Sequence, residues 1–149
     1  MLEVKVRTGA KQRIALSHPS DYRQGTNPPY EAELIAETPG HFLVFTDRFE
    51  SNPANVQGHC GASDGERYLH VVSLDPIPHE TLSVLIESCL LDLEPTSRSP
   101  EWIAKPDSAG FIGRLIVTFE SETPSETYWI APDGSVTRPE IGAAKVSRR

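Results

Sequence analysis

What most limits the folds open to this 149-residue chain is a recurring alternation of apolar and polar residues in short runs, each bounded by a turn signal. Successive side chains of an extended strand point to opposite faces, so a period of two marks a strand with one buried side. Leu2, Val4 and Val6 alternate with Glu3, Lys5 and Arg7; Thr8-Gly9-Ala10 turns the chain, and a weaker alternation returns at Ile14 and Leu16. Further on, Tyr30, Ala32, Leu34 and Ala36 alternate with Glu31, Glu33 and Glu37. After Thr38-Pro39-Gly40, the run HFLVFT (41–46) is apolar on both faces and reads as a more central strand paired with the acidic-faced one. ERYLHVVSL (66–74), RLIVTFE (114–120), TYWIA (127–131) and, past Pro132-Asp133-Gly134, SVTR complete the set. About eight short strands at hairpin spacing predict a mainly β fold, an antiparallel sandwich or open barrel. The length suits one domain over 1–149 with a core of its own, and the small, polar and basic residues at 140–149 predict a frayed tail.

One segment supports two readings. In HETLSVLIESCLLDLE (79–94), Leu82, Leu85, Ile86, Cys89, Leu90 and Leu93 share an arc of a helical wheel, with Pro78 suited to a first turn and Pro95 just past the end. That is the α+β alternative, with one helix at 79–94. As a strand, Leu82, Val84 and Ile86 alternate, then Cys89, Leu91 and Leu93, and the phase slip between them demands a bulge near Glu87. The antiparallel hairpins on either side favour the strand. Residues 18–29, 51–64 and 95–112 are rich in turn formers and read as loops, with Trp102 as an anchor folding back on the core.

Charge narrows the partners. The chain carries 14 Lys+Arg against 21 Asp+Glu, a net of −7, which is the wrong sign for neutralising phosphates and argues against nucleic acid. The basic residues gather at the ends, so residues 24–144 hold 6 basic and 19 acidic groups, a net of −13. A body of that charge attracts cationic partners and raises their association rate, although solubility alone also accounts for it. No run of 18 apolar residues is present, so no membrane insertion is expected. The N-terminus alternates and has no signal-peptide apolar block. The protein is then cytoplasmic, or periplasmic if Cys60 and Cys89 are joined and a signal was removed.

The chemistry-bearing residues are sparse. Cys60 and Cys89 are compatible with a disulfide closing a loop of about 30 residues, worth roughly 3–4 kcal/mol in the chain-entropy model, and this reading is favoured over two free structural thiols. A third option makes Cys60 a nucleophile with His59 or His70 as base, or recruits Asp64 and Glu66, which together give the alternative of a small hydrolase. No local catalytic signature accompanies either set. The histidines His18, His41, His59, His70 and His79 form no H-x-x-x-H pair and there is no C-x-x-C, so each reads as solvent-facing or satisfied, and no metal or cofactor is expected. Gly58, Gly61 and Gly65 match no phosphate loop. Trp102, Trp129 and Tyr128 give a further reading, a carbohydrate-binding module, against which stands their use as core aromatics.

The combination of Ser51-Asn52-Pro53, Cys60-Gly61-Ala62, Glu66-Arg67-Tyr68-Leu69 and Glu87-Ser88-Cys89-Leu90 resembles small Gram-negative β-rich proteins encoded beside interbacterial toxins as immunity proteins. The similar region covers about 45 residues, roughly a third of the chain. The resemblance implies a non-catalytic protein that binds and blocks one cognate toxin, often in the periplasm, with the cysteines paired. Taken with the acidic middle, it leads to an inhibitor of a cationic toxin or enzyme, whose candidate contacts are Glu31, Glu33 and Glu37 on the strand face or Asp64, Glu66 and Arg67 at the loop and the strand after it.

Overall fold

The computed structural model describes residues 2–5, 11–16, 31–38, 41–50, 65–89, 91–121 and 123–138. These form ten strands and no helix: β1 (Leu2–Lys5), β2 (Lys11–Ile14), β3 (Glu31–Thr38), β4 (Phe42–Glu50), β5 (Gly65–Ser73), β6 (His79–Ser88), β7 (Glu101–Ile103), β8 (Gly113–Val117), β9 (Glu126–Ile130) and β10 (Val136–Thr137). One four-stranded sheet runs β3-β4-β5-β6 and a second runs β10-β9-β8-β7, every pairing antiparallel; β1 and β2 make a separate hairpin. The expected antiparallel sandwich is therefore what forms, with eight strands in its two main sheets. The expected tail at 140–149 lies outside the described residues.

Alternation places the core. Phe42 and Val44 of β4, Leu69 and Val71 of β5, and Leu82 and Ile86 of β6 face Leu115 and Val117 of β8 and Tyr128 and Ile130 of β9, all buried in one cluster. The HFLVFT run is apolar on both faces because β4 is interior to its sheet and covered twice: Phe45, on its other face, packs with Val72 and with Ile14 of the N-terminal hairpin. β7, which lies inside the stretch expected to be a loop, is only three residues long and follows Pro100. It carries Trp102 to the core edge, where the indole meets Phe42 edge to face at 5.9 Å.

The 79–94 segment is a strand as far as Ser88, not the helix of the α+β alternative. A helix there would leave one side of β5 without ladder partners, and β5 is buried along almost its whole length, where unpaired backbone groups are costly. The predicted bulge is present: Arg67 pairs with Glu87 but Tyr68 with Leu85, so Ile86 is the extra residue. A second bulge, at Thr81, separates the Val71–Leu82 and Val72–Glu80 pairs. Beyond β6 the chain turns, with Ser88 and Leu93 exchanging backbone hydrogen bonds of 2.9 Å and Asp92 at a φ of 53°.

The turn before β10 locks the two sheets together. Gly134 adopts a φ of +85°, and a Cβ there would sit 2.8 Å from the Phe42 Cβ and 3.1 Å from the Ser73 Cα. The Thr81 hydroxyl donates to the Gly134 carbonyl at 2.7 Å, and the Ser73 hydroxyl to that of Asp133 at 2.5 Å. The Asp133 carboxylate accepts from the Ser135 hydroxyl and amide, which holds its pKa below the usual carboxylate range.

Candidate functional site

The sheet β3-β4-β5-β6 carries two polar constellations, one on each face. Toward the second sheet, the apolar rows end and a row of charges replaces them. The register sets Glu31 opposite Arg48, Arg48 opposite Arg67, and Arg67 opposite Glu87, so four charged residues cross four strands in one line. Two arginines directly opposed repel. The arrangement holds because one carboxylate oxygen, Oε2 of Glu87, receives both: Arg48 Nη2 at 2.7 Å and Arg67 Nε at 3.0 Å, while Glu31 flanks Arg48 Nη1 at 3.7 Å. A cavity of about 170 Å³ opens beside this row, between Arg67 and Glu87 on one side and Glu94, Thr96, Ser97 and Ser99 on the other. The 94–99 segment is pinned in place by β-sheet-like bonds: Thr96 N to Thr118 O at 2.8 Å, Ser99 Oγ to the same carbonyl at 2.7 Å, and Glu120 N to Glu94 O at 2.8 Å.

On the opposite face His70 is fully buried, with Nε2 at 2.9 Å from Asp47 Oδ1 and Nδ1 at 2.7 Å from Glu80 Oε1. Phe45 stacks on the imidazole at a centroid distance of 5.0 Å. Both ring nitrogens are thus engaged, and His70 is a satisfied core histidine. Service as a base for a cysteine would require one of those bonds to break.

The residues singled out in the sequence are distributed as follows. Glu31, Glu33 and Glu37 are exposed on β3, the edge strand, with Leu34 also 56% exposed among them. They do not share one face. Glu33 pairs with Thr46 and Leu34 with Phe45, but Ala36 pairs with Val44 and Glu37 with Leu43, so a bulge at Ile35 moves Glu37 to the opposite side from Glu31 and Glu33. Glu66 is no loop contact: it lies in β5, fully buried, with neither carboxylate oxygen hydrogen-bonded. Arg67 is half-buried in the charge row. Asp64 and Cys60 lie outside the described residues. Cys89 is half-buried and is not a free thiol.

The aromatic set expected of a sugar-binding surface is split. Tyr128 is in the core, donating to Glu126, and burial followed by that carboxylate pushes its pKa up; Trp129 lies on the outer side of its sheet against Phe111 and Arg114. Arg48, Glu87, Asp47 and Glu80 had no sequence signal pointing to a site; only the strand register unites them. Among the described residues no group of His, Cys, Asp and Glu is arranged to hold a metal ion, and no helix is long and apolar enough to cross a membrane, which says nothing of β-barrels. No family model, curated protein or solved structure matches the chain.

Proposed function

We propose that the protein is a non-catalytic inhibitor of the immunity type, which binds and occludes a cationic toxin or enzyme. The observation that carries this reading is the acidic edge strand: Glu31, Glu33 and Glu37 stand exposed on β3 with Leu34 between them, in a body whose residues 24–144 have a net charge of −13. Charges of this kind steer the encounter, and an exposed apolar residue among them supplies contact area on docking. The bulge at Ile35 sends the acidic side chains to both sides of the strand, so a basic partner wrapping the edge meets carboxylates on each side. In the same proposal Cys60 and Cys89 are joined, which ties the 51–64 loop to the end of β6.

The test is affinity capture from the native organism, followed by kinetics on the protein recovered. A basic partner is expected whose association rate falls steeply with ionic strength and drops roughly tenfold when Glu33 and Glu37 are both changed to lysine. Both residues are exposed and outside the charge row, so the fold should persist. Recovery of no basic partner, or binding indifferent to salt and to the double reversal, overturns the reading.

A further inference from the structure

The cavity beside the charge row has no part in the inhibitor role, and its walls have a definite chemistry. Arg67 meets Glu87 through Nε alone, at 3.0 Å, and its two terminal nitrogens make no hydrogen bond or ion pair among the described residues. They are donors in a fixed fork, the geometry that suits a carboxylate. Glu87 does not compete as a second anion, because one of its oxygens already takes both Arg48 and Arg67. Glu94 does: it stands exposed on the facing wall. The Ser99 hydroxyl is committed to Thr118, donating to its carbonyl and accepting from its amide, each at 2.7 Å, whereas Ser97 is exposed.

We propose that this cavity binds a small zwitterion of the α-amino acid class. The ligand carboxylate accepts from the terminal nitrogens of Arg67, its ammonium donates to Glu94, and Ser97 is placed to meet a short polar side chain. A simple anion would face Glu94 without compensation, and a simple amine would face Arg67; the zwitterion answers both walls. Size agrees, since a cavity of roughly 150 Å³ accepts a benzene-sized molecule and this one measures about 170 Å³. An amino acid with a short side chain fits within that volume. This inference is independent of the inhibitor reading, and either survives failure of the other.

The experiment is an NMR titration of the full chain, observing the Arg67 Nε–H and the backbone amides of Thr96 and Ser97. L-serine, acetate and methylammonium are the probes. L-serine is expected to give saturable shifts at all three positions, with acetate and methylammonium each at least about tenfold weaker, as loss of one charge-assisted hydrogen bond requires. Glu94→Gln should weaken L-serine roughly tenfold and leave acetate no weaker; the side chain is exposed, so an otherwise unchanged spectrum confirms folding. Absence of saturable L-serine shifts, an equal response to acetate, or indifference to Glu94→Gln overturns the proposal.

Discussion

His70 shows how much a single buried residue can determine. Its two nitrogens lie 2.9 and 2.7 Å from the carboxylates of Asp47 and Glu80, so one buried ring joins two strands to its own by hydrogen bonds on both sides. Alanine at this position would take that shared hydrogen-bond partner away from two carboxylates. We expect His70→Ala to cost about 1–3 kcal/mol, the usual penalty for removing one partner of a buried hydrogen bond, read from urea unfolding at neutral pH. A loss below about 1 kcal/mol would show that the two carboxylates find other donors. Sequence alone read this histidine as satisfied or solvent-facing, which is right as far as it goes. Its partners were hidden because they are 23 and 10 residues away and are brought to it by cross-strand pairing. Glu66 was misjudged for a related reason: Asp64-Gly65 looked like a turn tip, yet β5 begins at Gly65 and encloses the carboxylate at once.

At the level of elements, the strands were legible and their irregularities only partly so. Alternation located β3, an apolar run β4, and β-branched and aromatic content β5, with β8 and β9 following in short runs of the same kind. The slip of phase in 79–94 even placed one bulge, at Ile86. The bulge at Ile35 left no comparable trace, because in EAELIAET the acidic residues keep their odd spacing while the backbone pairing skips one position. The tightest demand on any turn falls on Gly134, where positive φ coincides with close approach to Phe42 and Ser73. Gly134→Ala should cost about 1–3 kcal/mol, or roughly 3–10 °C in melting temperature for a domain of this size. Gly110 offers the control: its φ is +93° but nothing lies within 4 Å of a Cβ there, so Gly110→Ala should be milder. Equal effects at the two glycines would mean that backbone strain, not contact with β4 and β5, governs the turn.

For the molecule as a whole, the sandwich follows from sequence because eight short amphipathic strands have few other ways to cover their apolar sides. The candidate site was less accessible: exposure of the β3 acids was foreseeable, whereas the Arg48–Glu87–Arg67 grouping depends on register across three strands. The proposed Cys60–Cys89 bond is a whole-molecule constraint with a direct check. Denatured, unreduced protein should yield no titratable thiol, and reduction should lower the melting temperature by about 10 °C, equivalent to roughly 3–4 kcal/mol. Two titratable thiols in unreduced protein would remove the bond from the proposal.

The row Glu31–Arg48–Arg67–Glu87 has one more consequence, for folding fidelity. Sliding one strand of the sheet by two residues keeps every apolar side chain on its proper face, so hydrophobic patterning cannot distinguish that error from the native pairing. The charges can. A two-residue slip of β4 along β5 would move Arg48 from Arg67 to Gly65 or Leu69, breaking the line and stranding a half-buried guanidinium away from Glu87. Four ionised side chains whose net contribution to stability is small thus act as an alignment mark, selecting one register among several that the core would accept.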